Sequence, residues 1–152
     1  MPTLSVAQAS LDDLPHVAPL VDAYRRFYGQ PADRAAAERF VGDRMRTGES
    51  VVLLARRGDR AVGYAQLYPS YSTVALARVW VLNDLYVDAA ERGSGVAAAL
   101  MAAAEAHGRA TGATRLVLVT AVNNSAAKRL YERHGWRPYA EYDHYVCFLG
   151  GG

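Results

Sequence analysis

The segment from Leu82 to Met101 constrains the fold more than any other, because an apolar stretch leads into a glycine-containing loop and then into a helix-forming stretch. Apolar and β-forming residues predict a strand over residues 79–87. Gly93 and Gly95 follow, at the expected start of a helix. A helix start presents unpaired backbone N–H groups and the positive end of the helix dipole, and Arg92 adds a positive charge. The segment therefore predicts a site for a phosphate or pyrophosphate group.

Length and composition predict one globular domain. The 152 residues, of which 51% are apolar and 21% charged, suit a single domain over residues 1–149 with a short tail over 150–152. The 17 basic and 15 acidic residues give a formal net charge of +2, which argues against nucleic acid and membrane surfaces as partners. The single cysteine, Cys147, excludes an internal disulfide, which fits a reducing compartment. No signal peptide or membrane span is evident, so we expect a cytoplasmic protein.

Apolar periodicity and turn residues predict an α/β chain with one central sheet. The expected order is strand, two helices, three strands, helix, strand, helix and two strands. The predicted strands cover residues 3–9, 51–55, 61–68, 74–87, 114–120, 136–139 and 142–149. The predicted helices are one that ends near residue 27, then 32–46, 93–108 and 124–134.

A second motif lies on the last predicted helix. Asn124 and Tyr131 are seven residues apart, close to two helical turns, so they share a face. Ala127 lies between them and leaves room for a slender ligand. The residues by themselves allow two interpretations. Asn124 is an N-cap and Tyr131 a core residue, or the tyrosine hydroxyl donates a proton to a leaving group.

Together the two motifs resemble those of the GNAT superfamily, the Gcn5-related N-acetyltransferases. The family's loop, Arg/Gln-x-x-Gly-x-Gly/Ala, corresponds to residues 92–97, and its helix motif, Asn-x-x-Ala-x-x-x-Tyr, corresponds to residues 124–131. The order of elements agrees over almost the whole chain. The resemblance implies a mixed central sheet of about six to seven strands, splayed at strands four and five, with about four flanking helices.

The resemblance also implies acetyl-CoA as the cosubstrate, bound between the strands that end near Val87 and Thr120, with no metal. The backbone of Leu85 to Val87 would pair with the pantetheine arm. Tyr131 would protonate the departing CoA thiolate in a direct transfer. Cys147 is then not needed as a nucleophile, and we expect it to be a buried structural thiol. The implied cofactor-binding residues are Leu85, Tyr86, Val87, Arg92, Gly93, Ser94, Gly95, Val96, Ala97 and Asn124.

An amine acceptor must lose a proton, since a primary ammonium has a pKa near 10.4. Asp84 is the first candidate for the base or the amine ligand, and a structural carboxylate is the alternative. The segment Leu82–Val87 resembles that of the spermidine/spermine and thialysine acetyltransferases, which carry a glutamate where this chain has Asn83. Polyamine specificity therefore does not follow. In a regular strand Asn83 and Asp84 point to opposite faces.

By the same resemblance, the acceptor pocket would contain Phe27, Tyr28, Tyr68 and Asn83, although core packing is an alternative for the aromatic residues. The implied function is transfer of an acetyl group from acetyl-CoA to a primary amine of a small molecule, either a diamine or an amino-acid-like compound. The resemblance to the family also leads us to expect a homodimer. The alternatives are a non-catalytic acetyl-CoA-binding sensor and acetylation of protein lysines or N-termini.

Overall fold

The computed structural model describes residues 2–151 and contains two compact units, a first that ends at Val119 and a second that begins at Thr120. The first unit consists of β1 (Leu4–Gln8), α1 (Leu14–Phe27), α2 (Arg34–Arg46), β2 (Val51–Arg57), β3 (Arg60–Ser72), β4 (Ala77–Val87), α3 (Val96–Ala110) and β5 (Arg115–Val117). The second unit contains α4 (Ser125–Arg133). Among the described residues, no helix has both the length and the apolar character of a membrane span.

The predicted α/β class with one mixed sheet and four α-helices is confirmed, but the predicted six to seven strands are wrong. Within residues 2–151, five strands lie in the order β1-β2-β3-β4-β5, antiparallel except for the parallel β4–β5 pair. The two strands expected over residues 136–149 do not form, because these residues join no hydrogen-bonded ladder. Tyr145 and Leu149, which fall in the second of these predicted strands, are exposed. Cys147 is also exposed, contrary to the expectation of a buried thiol.

Helices cover both faces of the sheet. Val17 and Val41, from α1 and α2, are fully buried in a cluster with Leu54 of β2 and Tyr64 of β3. Complete burial of an aliphatic side chain stabilises the fold by about 1.5–3 kcal/mol. Alternate residues of the same strands face α3. A Cβ on Gly63 would lie 2.8 Å from the Tyr86 carbonyl oxygen and 3.1 Å from a methyl of Val96. Gly63 therefore lets the first turn of α3 pack closely on β3.

Strands β4 and β5 pair over only a short length. Val79–Val81 pair with Arg115–Val117, and within residues 2–151 no strand pairs with that edge of β4 from Leu82 to Val87. On the other edge, β4 stays paired with β3 as far as Val87. Because β5 ends at Val117, the edge of β4 from Leu82 to Val87 is an open edge among the described residues, and the splay between the two strands stays a prediction.

Candidate active site

The open edge of β4 leads into a glycine loop and the start of α3. Gly93 and Gly95 have φ angles of 80° and 88°, a region that side chains with a Cβ rarely adopt. Gly95 is the N-cap of α3, and its carbonyl accepts the first helical hydrogen bond, from Ala99. Within residues 2–151, the amides of Gly95, Val96 and Ala97 donate to no protein acceptor. The loop thus has the donors that an anionic ligand requires.

Arg92 lies beside this edge. Its Nε donates to the carbonyl oxygen of Val87 at 3.2 Å. Its guanidinium carbon lies 5.8 Å from the ring centroids of Phe27 and Tyr86. The structure therefore groups two residues predicted for the cosubstrate, Arg92 and Tyr86, with one predicted for the acceptor, Phe27.

A β-bulge interrupts β4 at the predicted catalytic position. Gln66 of β3 pairs with Asp84 and Leu67 pairs with Leu82, so Asn83 is the extra residue. The Asn83 side-chain amide donates to Asp84 Oδ1 at 2.6 Å. The backbone carbonyl oxygen of Asn83 accepts a hydrogen bond of 3.3 Å from the Tyr24 hydroxyl. A bulge interrupts the regular alternation of a strand, and here Asn83 is exposed while Asp84 is buried, so the expectation that their side chains point to opposite faces stays a prediction.

Asp84 is 5% exposed and is held by neutral donors. The Tyr64 hydroxyl and Gln66 Nε2 both donate to Oδ2 at 2.8 Å, while Asn83 serves Oδ1. The Ser50 hydroxyl donates to Gln66 Oε1 at 2.7 Å and so fixes which end of that amide faces Asp84. In the part of the chain that the structure describes, no arginine, lysine or histidine forms an ion pair with Asp84. Glu91, by contrast, forms ion pairs with Arg57 and Arg60.

The pKa of the Asp84 carboxyl lies above its usual value, because burial disfavours the charged form more than the three hydrogen bonds favour it. A buried carboxyl without a cationic partner can accept a proton or pair with a cationic ligand. Tyr68 is half-buried, and burial together with the negative charge of Asp84 raises its pKa to about 12. Tyr68 is thus a neutral hydroxyl within the electrostatic reach of Asp84.

Aromatic rings connect Asp84 with the exposed end of α1. The Tyr24 ring packs edge-on against Tyr28, Tyr64 and Tyr86, with centroid distances of 5.0, 6.1 and 6.3 Å. Phe27 and Tyr28 are 64% and 56% exposed, so core packing does not account for them. Tyr64, by contrast, is fully buried.

The second predicted motif lies on α4 in the second unit. Asn124 Oδ1 accepts a hydrogen bond of 3.2 Å from the Ala127 amide, so the predicted N-cap is confirmed. Tyr131 is half-buried, with its ring 6.3 Å from that of Trp136. No group of three or more His, Cys, Asp or Glu side chains within residues 2–151 is arranged to hold a metal ion.

Comparison with known proteins identifies the family. The model of the acetyltransferase (GNAT) family matches residues 17–136. The chain belongs to the GNAT family. It is 37% identical to the Uncharacterized N-acetyltransferase YhfO of Bacillus subtilis (strain 168), over 93% of this chain and 95% of that protein. It is 34% identical to a Probable acetyltransferase of Haemophilus influenzae (strain ATCC 51907 / DSM 11121 / KW20 / Rd), over 69% of this chain and 73% of the relative.

The crystal structure of a probable acetyltransferase superposes on this GNAT chain with a TM-score of 0.92 and 38% identity, covering 97% of this chain and 99% of the other. The fold predicted from the two motifs is therefore confirmed at family level. With named acetyltransferases at this identity, the protein is an acyltransferase enzyme.

Sequence reasoning missed three residues of this GNAT site: Ser50, Tyr64 and Gln66. One signal was available, because Gln66 is a polar residue within an apolar strand, two positions from Tyr64 and from Tyr68. Strand alternation puts these three side chains on one face. Their partner Asp84 comes from a neighbouring strand, and the sequence does not specify that pairing.

Tyr64→Phe tests whether the donors around Asp84 tune its proton affinity. Loss of the hydroxyl removes a hydrogen bond to the charged form, so the pKa of Asp84 should rise further. We expect the acidic limb of the kcat/KM profile to move to higher pH, with a fall at pH 7 on the order of fivefold. Tyr71→Phe, at an exposed tyrosine of β3, is the matched control. An unchanged pH profile in Tyr64→Phe would contradict this role of the hydroxyl.

Proposed function

We propose that this enzyme transfers the acetyl group of acetyl-CoA directly to a primary amine of a small molecule. The observation that carries the proposal is the open edge of β4, which runs from Leu82 to Val87 and leads into the glycine loop. An extended, amide-bearing chain such as pantetheine can bond to an open edge like an added strand. The proposed acetyl-CoA contacts are Leu85, Tyr86, Val87, Arg92, Gly93, Ser94, Gly95, Val96, Ala97 and Asn124.

The loop supports the phosphate part of this proposal. The amides of Gly95, Val96 and Ala97 lie at the positive end of the dipole of a 15-residue helix. Arg92 supplies a full positive charge next to them. The loop follows β4 directly in the chain, so we propose that one extended ligand uses both features.

Asp84 supports an amine as acceptor. Its carboxylate is buried and, within residues 2–151, has neutral donors only, so an ammonium group supplies the missing positive charge, or the carboxylate takes up the amine proton. We propose that Asp84 holds or deprotonates the amine. The free amine attacks the thioester carbonyl, a C–N bond forms and the C–S bond breaks. Tyr131 is proposed to donate its hydroxyl proton to the departing thiolate and to regain a proton when the attacking nitrogen releases its second proton to water.

The residues around Asp84 favour a small amine over a long polyamine as the acceptor. Asn83 occupies the position at which the spermidine/spermine branch has a glutamate, and in this chain its side chain donates to Asp84. Phe27, Tyr28 and Tyr68 offer aromatic faces to an aliphatic or cationic amine. We therefore propose a diamine or an amino-acid-like amine as the substrate class. A cytoplasmic homodimer remains part of the proposal.

An amine panel tests the proposed function. Wild-type enzyme is incubated with acetyl-CoA and, in turn, polyamines, diamines, lysine analogues, aminoglycosides and lysine-containing peptides, while free CoA thiol is followed. We expect diamines and amino-acid-like amines to give a higher kcat/KM than the other compounds of the panel. Preference for peptides would contradict the proposed substrate class. Absence of acetyl-CoA binding by calorimetry would contradict the proposed donor.

Gly95→Ala tests the phosphate loop. The sequence suggests that a side chain here fills the turn, but no heavy atom beyond the neighbouring residues lies within 4 Å of a Cβ built on Gly95. The cost is conformational, because φ is +88° and a non-glycine residue there costs about 1–2 kcal/mol. We expect the loop to change shape and the Kd of acetyl-CoA to rise about tenfold.

Gly48→Ala is the matched control for the loop variant. Gly48 also has a positive φ, +71°, with open space around its Cβ, but it lies at the end of α2. It should carry a similar cost in stability and leave the affinity for acetyl-CoA unchanged. Equal affinities in the two variants, with both folded by circular dichroism, would remove Gly95 from the proposed pyrophosphate site.

A further inference from the structure

Glu91 stands immediately before the glycine loop, and its carboxylate is 12% exposed. Arg57, at the end of β2, donates from Nε to Glu91 Oε1 at 2.9 Å, and its side chain is 13% exposed. Arg60, at the start of β3, bonds the other carboxylate oxygen. The sequence suggests a solvated charge at Glu91, whereas the structure shows a carboxylate enclosed by two arginines.

Arg57 also reaches the second half of the loop. Its terminal nitrogen donates to the carbonyl oxygen of Ser94 at 3.2 Å. The Ser94 hydroxyl in turn donates to the carbonyl oxygen of Glu91. One guanidinium therefore ties together the two ends of the segment from Glu91 to Ser94. Guanidinium is suited to this because its donors lie in a rigid plane and serve two acceptors at once.

The hairpin that carries the two arginines is itself rigid. Arg57 and Arg60 are paired across β2 and β3, with a turn at Gly58 and Asp59 between them. Arg60 also lies 3.6 Å from the carboxylate of Asp88, at the end of β4. The loop before α3 is thus bonded to an antiparallel hairpin through charged side chains.

The charges matter because the proposed ligand of this loop is anionic. An unpaired Glu91 carboxylate next to a pyrophosphate would repel it. The two arginines cancel that charge, and the hydrogen bond from Arg57 is the main reason that the pKa of Glu91 lies below its usual value. Glu91 therefore stays ionised and paired at neutral pH, and Arg92 retains its charge for the ligand.

We propose that Arg57 is a positioning residue for acetyl-CoA: it holds the segment Glu91–Ser94 in its ligand-binding shape and cancels the charge of Glu91. This inference rests on the proposed function, since it assigns the ligand of the loop as the pyrophosphate of acetyl-CoA. Arg57 itself is bonded to the protein and touches no reacting atom in this assignment. Its effect should therefore fall on cosubstrate binding and leave the chemical step unchanged.

Arg57→Met tests the proposal by separating KM from kcat. We expect the Kd and the KM of acetyl-CoA to rise about tenfold, while kcat and the KM of the amine stay within about twofold. Arg56→Met is the matched control, because Arg56 is the adjacent residue of β2 and pairs with Asp13 at 2.8 Å, outside the loop. That variant should bind acetyl-CoA like the wild type.

Two further variants keep the test decisive if Arg57→Met is poorly folded. Arg57→Lys keeps the charge but loses the planar fork, so it should show an intermediate affinity. Adding Glu91→Gln to Arg57→Met should restore part of the affinity, since it removes the unpaired carboxylate. If Arg57→Met binds acetyl-CoA as tightly as the wild type does, this inference is overturned, whereas the proposed function is not. A wild-type enzyme that binds no acetyl-CoA overturns the proposed function as well.

Discussion

Replacing Asp84 with asparagine should lower kcat by about two to three orders of magnitude, because the variant can neither accept the amine proton nor pair with an ammonium group. The change is close to isosteric. The new amide oxygen can still accept from Tyr64 and Gln66, and the exposed side chain of Asn83 can turn toward solvent. Steady-state kinetics with the best amine of the panel measures the loss.

Asp43→Asn is the control for the loss of a carboxylate. Asp43 lies on α2, is 60% exposed and pairs with Arg46. Exposed pairs of this kind contribute little to stability, so activity and melting temperature should stay near the wild-type values. Activity of Asp84→Asn within about threefold of the wild type would show that Asp84 is a structural carboxylate.

The pH dependence of Asp84→Asn gives an independent readout. Burial raises the folded-state pKa of Asp84, so the folded protein binds this proton more tightly than the unfolded chain does. The stability that the protonated Asp84 carboxyl contributes is therefore lost as pH rises from the pKa of Asp84 in the unfolded chain through its pKa in the folded protein. Asparagine removes the cost of ionisation, so above that window the variant should melt no lower than the wild type. In the wild type, kcat/KM should fall as pH drops through the raised pKa.

Local sequence signals were sufficient for the elements that carry the two motifs. The glycines at the start of α3 and the cap at Asn124 depend on neighbouring residues only, so their φ angles and hydrogen bonds could be predicted. The prediction that β4 and β5 diverge came from the family resemblance. The ends of strands were less certain, and β3 extends to Ser72, beyond its predicted end at Tyr68.

The environment of Asp84 could not be predicted, because it depends on pairing between strands that are distant in sequence. The bulge at Asn83 arises from the register between β3 and β4, and no glycine or proline marks it. The ion pair of Glu91 with Arg57 likewise joins a loop to a distant hairpin. In both cases a charged residue that looked solvated or ambiguous in the sequence acquired its role from a distant strand.

Asp84 lies on the open edge of β4, whereas Glu91 lies beyond the end of that edge, before the glycine loop. Among the residues that the structure describes, Asp84, near the bulge, lacks a positive partner, whereas Glu91, before the loop, has two. The chain thus has an uncompensated negative charge where a cationic amine is proposed to bind, and a compensated one where an anionic pyrophosphate is proposed to bind. The charges at Asp84 and Glu91 therefore support the same orientation of the cosubstrate as the glycine loop does, with the pyrophosphate at the loop and the acetyl end toward Asp84.

Tyr131→Phe should lower kcat by about two orders of magnitude and leave the Kd of acetyl-CoA within a few-fold of the wild-type value. The reason is that the hydroxyl is proposed to act only when the thiolate departs, so it contributes to the transition state and little to the ground state. Phenylalanine keeps the ring that packs 6.3 Å from Trp136, so α4 should retain its structure.

Single-turnover kinetics with saturating acetyl-CoA measures this chemical step, and calorimetry measures the affinity. Tyr139→Phe is the matched control, since Tyr139 lies in the same unit and is 46% exposed. If Tyr131→Phe and Tyr139→Phe turn over equally fast, Tyr131 is not the acid and protonation must come from another donor. A rise in the Kd of acetyl-CoA with kcat unchanged would instead place the hydroxyl in cosubstrate binding, because an interaction used equally in the ground state and the transition state changes binding and not the chemical step.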